Sequence, residues 1–343
     1  MTVLDLPGWA VPLVTSSRAA GEDPGCALDL AGQYGKLLPQ PGGGQTAGRW
    51  AVLAAVSEQN LTAGRVLEAH SDALAILAEA GASPPDGTWG VFAAEAAPHR
   101  LTASPGPAGP GGPGGPVTLT GVKPWCSLAG LLDSALVTAH GTDGRQLYRV
   151  SLRDPTVTVD APEGWVARGL RTVTSVAVRF SGTAAEPVGG PGWYLTRPGF
   201  AWGGMGVAAC WYGGALGLRT AIAAAAARRG SDLTSMLLGA TDISLYGCAA
   251  AFGHAASLID SGAARGAAGE LLGLRLRGLV ADAAEQALRH AGHALGPAPL
   301  AFDEEHARRA ADLELYIRQH HAERDLARLG SLLTADDGAG AAR

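Results

Sequence analysis

Between residues 47 and 81, Leu53, Val56, Leu61, Val66, Leu67, Leu74 and Leu77 recur near helical spacing. The spacing predicts one long helix, with Gly81 as a natural stop. The first forty residues are weakly patterned and predict one short helix before the loop PQPGGG. From 90 to 197 the pattern changes. VTLTG, DSALVTAH, RQLYRVS, TVTVD, TSVAVRF and GWYLT are short runs rich in β-branched residues, parted by the turn signals GTDG, RDP and APEG. They predict an antiparallel β-region. Within it, SPGPAGPGGPGGP (104–116) places Gly at every third position but is too short for a triple helix, and reads as a mobile loop. Beyond Gly203 the pattern predicts helices over 204–228, 231–260, 262–292 and 304–331. Ser231, Asp260 or Ser261, and Asp303 stand where N-caps belong. The expected fold class is α+β: an N-terminal helical domain (1–89), a middle antiparallel β-domain (90–198), a C-terminal four-helix bundle (199–332) and a frayed tail (333–343).

The most apolar stretch, WGGMGVAACWYGGAL (202–216), is also rich in glycine. Each Gly costs a helix about 1 kcal/mol relative to Ala. Gly206, Cys210, Gly213, Gly214 and Gly217 fall on one side of a helix, a smooth strip that a second backbone or a flat ring can approach closely. Gly204 to Ala209 fits G-x-G-x-x-A, but no second parallel strand ending in an acidic residue follows, so a dinucleotide-binding unit is not expected. Residues 198–227 carry one charge, Arg219, and are long enough to span a membrane. A helix buried by protein is the expected reading, with no membrane partner.

Composition narrows the classes. The 343 residues are 47% hydrophobic and 17% charged, enough for a large core, and the net charge is −5 with both signs interspersed. There is no basic stripe for nucleic acid. Cys26, Cys126, Cys210 and Cys248 form no Cys-x-x-Cys pair and no metal spacing, so no metal is expected. The N-terminus has no basic region before its apolar run, and a cytoplasmic setting is expected.

Several segments resemble the acyl-CoA dehydrogenase superfamily: LEAHSDALAILAEAG (67–81), LTGVKPWCSLAGLLDSALVTA (119–139), FAWGGMGVAACWYGGALGL (200–218) and the closing stretch 285–330 that contains RQHHAERD. The resemblance implies the helical–β–helical order given above and a flavin, FAD with FMN as the alternative. It also implies an acyl-CoA or other small-molecule substrate, and a homo-oligomer or a hetero-oligomer with a related chain. By the same resemblance Trp125 packs near the flavin and the Ser127 hydroxyl bonds to it.

Three departures modify that picture. The hydroxyl-rich loop after GVF reads AAEAAPHRL, in which Glu95 is a candidate acid. The R-x-x-F-G element is absent, with Arg228 or Arg229 as a candidate phosphate ligand. No carboxylate stands near Arg318–His320, where the resemblance places the base. His320 and His321 are the candidates there, of which one helix face can present only one to a pocket. Three readings stay open: a flavin-dependent dehydrogenase-like oxidoreductase, a reduced-flavin monooxygenase on the same scaffold, and a degenerate non-catalytic partner.

Overall fold

The computed structural model describes residues 6–106 and 117–340, without the side chains of Arg229 and 335–340. Most of the expected Pro-Gly loop lies outside the described residues. Four helices come first: α1 (Ala10–Ala19), α2 (Pro24–Tyr34), α3 (Thr46–Gln59) and α4 (Leu61–Glu79). The first forty residues thus hold two helices, not one. The single helix expected over 47–81 is broken at Asn60, whose backbone is extended at φ −156°. Its side chain accepts from Ala63 N (3.1 Å) and donates to Ser17 O (3.0 Å) and Gly21 O (2.8 Å). One buried amide therefore caps α4 and ties it to the end of α1.

Seven strands follow: β1 (Trp89–Phe92), β2 (Leu101–Pro105), β3 (Val117–Ser127), β4 (Ser134–Gly141), β5 (Gly144–Ser151), β6 (Val157–Val159) and β7 (Ser175–Val188). They form one sheet in the order β1-β4-β2-β3-β7-β5, with β6 on β7, and β5 pairs back onto β4 to close a small barrel. The sheet is mixed rather than purely antiparallel, because β1 and β2 both run parallel to β4. The GWYLT segment is not a strand. It forms the short helix α5 (Trp193–Thr196), entered through Gly192 at φ +75°.

The remaining helices are α6 (Pro198–Arg229), α7 (Asp232–Asp260), α8 (Gly266–Leu295), α9 (Pro297–Phe302), α10 (Glu304–Tyr316) and α11 (Glu323–Gly340). Asp303 caps α10 through His306 N (3.1 Å). Asp260 caps no helix of its own. It crosses the fold to accept from Thr46 N (3.1 Å) and Thr46 Oγ1 (2.6 Å) at the start of α3. The helix expected over 304–331 is two, parted by a turn at Ile317–Gln319, and α11 continues past residue 332.

The glycines of α6 are occupied by protein. A Cβ on Gly213 would collide with Ala54 O and sit 2.8 Å from Ser57 Cβ; one on Gly214 would meet Leu61 and Leu313 at 2.8 and 3.1 Å. Of the two expected occupants, the strip receives protein rather than a flat ring: α3, the start of α4 and α10 pack against it. Helix α7 is the one described helix long and apolar enough to cross a membrane by length and composition, and a third of that window is buried. Its outer side leaves Leu233, Met236, Ile243 and Tyr246 exposed.

Candidate functional site

Strand β3 ends in a distortion. The register with β7 shifts between Lys123 and Cys126, and Trp125 sits at φ +59° inside the irregularity. A bulky residue rarely adopts that conformation, so the surrounding pairing must enforce it. The bulge turns the Trp125 ring outward, where it is 58% exposed. Two residues on, Ser127 Oγ lies 2.8 Å from Ser175 Oγ. Ser127 and Leu128, Trp89–Phe92 of β1, and Arg65, Val66 and Ala69 of α4 line a crevice. The crevice has room for about one water molecule.

Arg65 is where the crevice meets the helical core. Arg65, Glu68 and Asp72 fall at i, i+3 and i+7, so one face of α4 carries all three. Arg65 bonds the Glu68 carboxylate at 3.2 Å and lies 5.7 Å over the Tyr316 ring. Burial raises the Glu68 carboxyl to about 7 despite the pull of Arg65. Burial also raises the Asp72 carboxyl, and Gly203 leaves room for it, since a Cβ there would stand 2.8 Å from Asp72 Oδ1. Arg49 enters from α3, 4% exposed, and donates to Ser71 Oγ (2.9 Å). Arg277 of α8 stacks 4.9 Å over Trp211 and donates to Gly204 O (2.8 Å) and Gln319 O (2.9 Å).

Three rings meet here. Trp211 contacts Tyr316 and His320 edge-on, at centroid distances of 6.2 and 6.3 Å. Trp211 Nε1, Tyr316 Oη and His320 Nε2 are buried without a hydrogen-bond partner. The Tyr316 hydroxyl has the Cys210 thiol beside it, a poor acceptor.

The expected site residues divide. His320 belongs to this cluster: its side chain is 10% exposed, its Nε2 lies 3.7 Å from Asp325 Oδ2, and burial lowers its pKa so that the ring is neutral at pH 7. His321 is 68% exposed, with its Nδ1 3.6 Å from Asp325 Oδ1. Both follow the turn after α10, and both rings lie beside the Asp325 carboxylate, one buried and one exposed. Glu95 is corrected from a candidate acid to an ion-pair hub. It accepts from Lys123 Nζ (2.9 Å), pairs with His140 (3.0 Å) and lies 3.5 Å from Arg145 Nε. Partial burial pushes its carboxyl up, but the bonds from His140 and Lys123 and the charges of Lys123 and Arg145 outweigh that and hold it at about 2. Lys123 itself is 2% exposed and also reaches Thr138 Oγ1 (2.9 Å). Arg228 is exposed at the far end of α6, about 25 Å along the helix from Trp211, and is not part of the cluster.

The sequence reading missed Arg65, Glu68, Arg277, Trp211 and Tyr316 as site residues. The signal that could have found them is the row of charges on α4 inside an otherwise apolar helix. Among the described residues no group of three His, Cys, Asp or Glu is placed to hold a metal. The crevice itself admits no planar cofactor; an exposed indole face and a serine hydroxyl stand two residues apart at the end of β3.

No protein-family model and no curated protein sequence matches the chain. Solved structures do match. KijD3 in complex with FMN and dTDP-3-amino-2,3,6-trideoxy-4-keto-3-methyl-D-glucose superposes with a TM-score of 0.77 at 18% identity, over 96% of this chain and 92% of that one. TdsC from Paenibacillus sp. A11-2, a dibenzothiophene monooxygenase solved with FMN and indole, gives 0.74 at 18%, over 94% and 95%. A glutaryl-CoA dehydrogenase from Mycobacterium smegmatis, in complex with FADH2, gives 0.76 at 15%, over 96% and 95%. This chain has the fold of the acyl-CoA dehydrogenases, carried by a divergent sequence.

Proposed function

We propose that the chain is a flavin-dependent oxidoreductase whose segments 1–89, 90–198 and 199–332 act as the three domains of the acyl-CoA dehydrogenase layout. Its substrate is an acyl thioester or a related small molecule. The observation that carries this reading is a single arrangement. The Trp125 ring is exposed two residues before Ser127, Ser127 and Arg65 line one crevice, and Arg65 lies over the Tyr316 ring of the buried cluster. Trp125 would hold the ring by stacking, and Ser127 would hydrogen-bond it. A bound flavin, FMN or FAD, supplies the electron-transfer chemistry. The chain's own residues bind and orient the substrate and exclude water, and Glu68 is the group that takes up a proton. The fold shared with FMN- and FADH2-bound proteins supports the flavin without choosing between the two forms.

The monooxygenase reading draws on one specific feature: a neutral, largely buried imidazole, His320, in the turn after α10. Oxygen uptake dependent on a flavin reductase, with no turnover of acyl-CoA plus an electron acceptor, would assign the chain to that chemistry. The uncovered apolar side of α7 supports self-association, and we place the protein in the cytoplasm. Titration of the purified protein with FAD and with FMN, followed by flavin fluorescence, tests the reading. Quenching that saturates at one flavin per chain is expected. A protein that takes up neither form would remove it.

A further inference from the structure

We infer that the cluster behind Arg65 is a subsite for an oxyanion of the substrate, a carboxylate or enolate, and that Glu68 takes up a proton when that oxyanion binds. The inference rests on the oxidoreductase reading for its place in a reaction, but its chemistry is read from this chain alone.

The donors come first. Trp211 is fully buried and Tyr316 is 1% exposed, yet the indole N–H and the phenol O–H have no acceptor apart from a thiol. A buried donor without a partner costs roughly 1–3 kcal/mol, and folded proteins leave few of them. Two such donors on rings in edge contact call for an acceptor atom that a ligand supplies. The third orphan, the Nε2 of His320, borders the same indole.

Charge accounts for the proton. The groups facing Glu68 are Arg65 and Asp72 on α4, Arg49 on α3, Cys210 on α6, Arg277 on α8 and Tyr316 on α10. Burial raises the thiol to about 12 and pushes the phenol well above its ordinary value, so both are neutral. Three guanidinium groups face Glu68 and Asp72, and Asp325 already compensates Arg277. An arriving oxyanion therefore adds a negative charge to a balanced cluster. Protonating Glu68 relieves that repulsion, and its carboxyl already titrates at about 7. Arg65 is its sole hydrogen-bond donor among the described residues, so a proton can be accepted without breaking a network.

Arg65 also lines the crevice, so one side chain connects the crevice with Glu68. A substrate that arrives protonated can deliver its own proton. The bond from its acidic carbon or oxygen to hydrogen breaks, the electron pair stays on the substrate, and an O–H bond forms on Glu68. The negative charge then rests between Arg65, Arg277 and the two ring donors. Glu68 thus occupies the role left open by the missing carboxylate near His320, from a different helix.

The test uses benzoate, a planar carboxylate that is fully ionised at pH 8. Calorimetry in two buffers of different ionisation enthalpy reads the protons taken up on binding. Wild-type protein is expected to take up about one proton per benzoate, and Glu68→Gln none, with affinity equal or tighter. Trp211→Phe combined with Tyr316→Phe is expected to weaken binding at least tenfold while thermal unfolding confirms a folded chain. Absence of benzoate binding by the wild type would overturn the inference, as would equal proton uptake by the Gln variant. Flavin titration of the same samples keeps the two claims apart. Flavin uptake without benzoate binding sinks the subsite alone, and benzoate binding with proton uptake but no flavin sinks the oxidoreductase reading alone.

Discussion

Alanine at two glycines of α6 should move stability in opposite directions. At Gly213 a new Cβ would overlap Ala54 O and stand 2.8 Å from Ser57 Cβ. A backbone oxygen cannot rotate away, so α6 and α3 must separate. Overpacking of this kind costs typically 1–3 kcal/mol, and a collision with backbone falls at the upper end. Gain in helix propensity returns about 1 kcal/mol. The net expectation for Gly213→Ala is a loss of about 1–2 kcal/mol. At Gly206 the new Cβ would lie 3.7 Å from Leu53 Cδ1 and 4.0 Å from Trp50 Nε1, ordinary contact distances. Gly206→Ala therefore keeps the propensity gain and stabilises by up to about 1 kcal/mol. Urea unfolding of wild type and both variants, followed by far-UV circular dichroism, reads the two signs from the midpoints. If Gly213→Ala were as stable as wild type, α3 would not be seated on the glycine strip. The packing account of α6 would then fail.

Three further outcomes follow from the fold. Asn60→Ala removes a cap and leaves Ser17 O and Gly21 O without their donor; a loss of about 2–4 kcal/mol is expected in the same urea assay. Glu95→Gln weakens the partner of the buried Lys123 and should lower the urea midpoint at pH 7. Because the folded Glu95 carboxyl is held below its ordinary value, its stabilisation is present above about pH 4.5 and lost as pH falls through about 2. An acid titration should therefore show the Gln variant losing less stability than wild type in that window; parallel curves would refute the ion-pair role. Glu68 runs the other way. Its carboxyl is raised, so its contribution is full below the ordinary carboxylate pKa and lost as pH rises through about 7. Glu68→Gln should flatten the fall in stability between pH 5 and 8 measured by urea midpoints.

The order of helices, strands and helices was readable because long apolar periods and short β-branched runs are local signals. The break at Asn60 was not, because a polar residue inside an apolar period looks like a helix's outer face. Its capping role depends on Ser17 and Gly21, some forty residues away. The parallel pairing of β1 with β4 is equally non-local. Trp125, Ser127 and His320 came from family resemblance; Ser127 lines the crevice, His320 borders Trp211, and Trp125 is exposed at the end of β3. Glu95 misled because a lone Glu after a strand carries no mark of its partners; Lys123, His140 and Arg145 come from three strands. Glu68 was overlooked because a charged row on one helix face usually meets solvent. Here α6 and α10 cover it, and burial rather than sequence sets its chemistry.

The proposed flavin site rests on the exposed Trp125 ring at the end of β3. The direct measurement is the flavin dissociation constant of the wild type and of Trp125→Ala, by absorbance titration with FMN and FAD. Wild type should bind one flavin per chain, and the variant should bind at least tenfold more weakly with unchanged thermal unfolding, since the indole is 58% exposed and holds little of the core. Equal affinity in the two proteins would place the flavin elsewhere and contradict the claim.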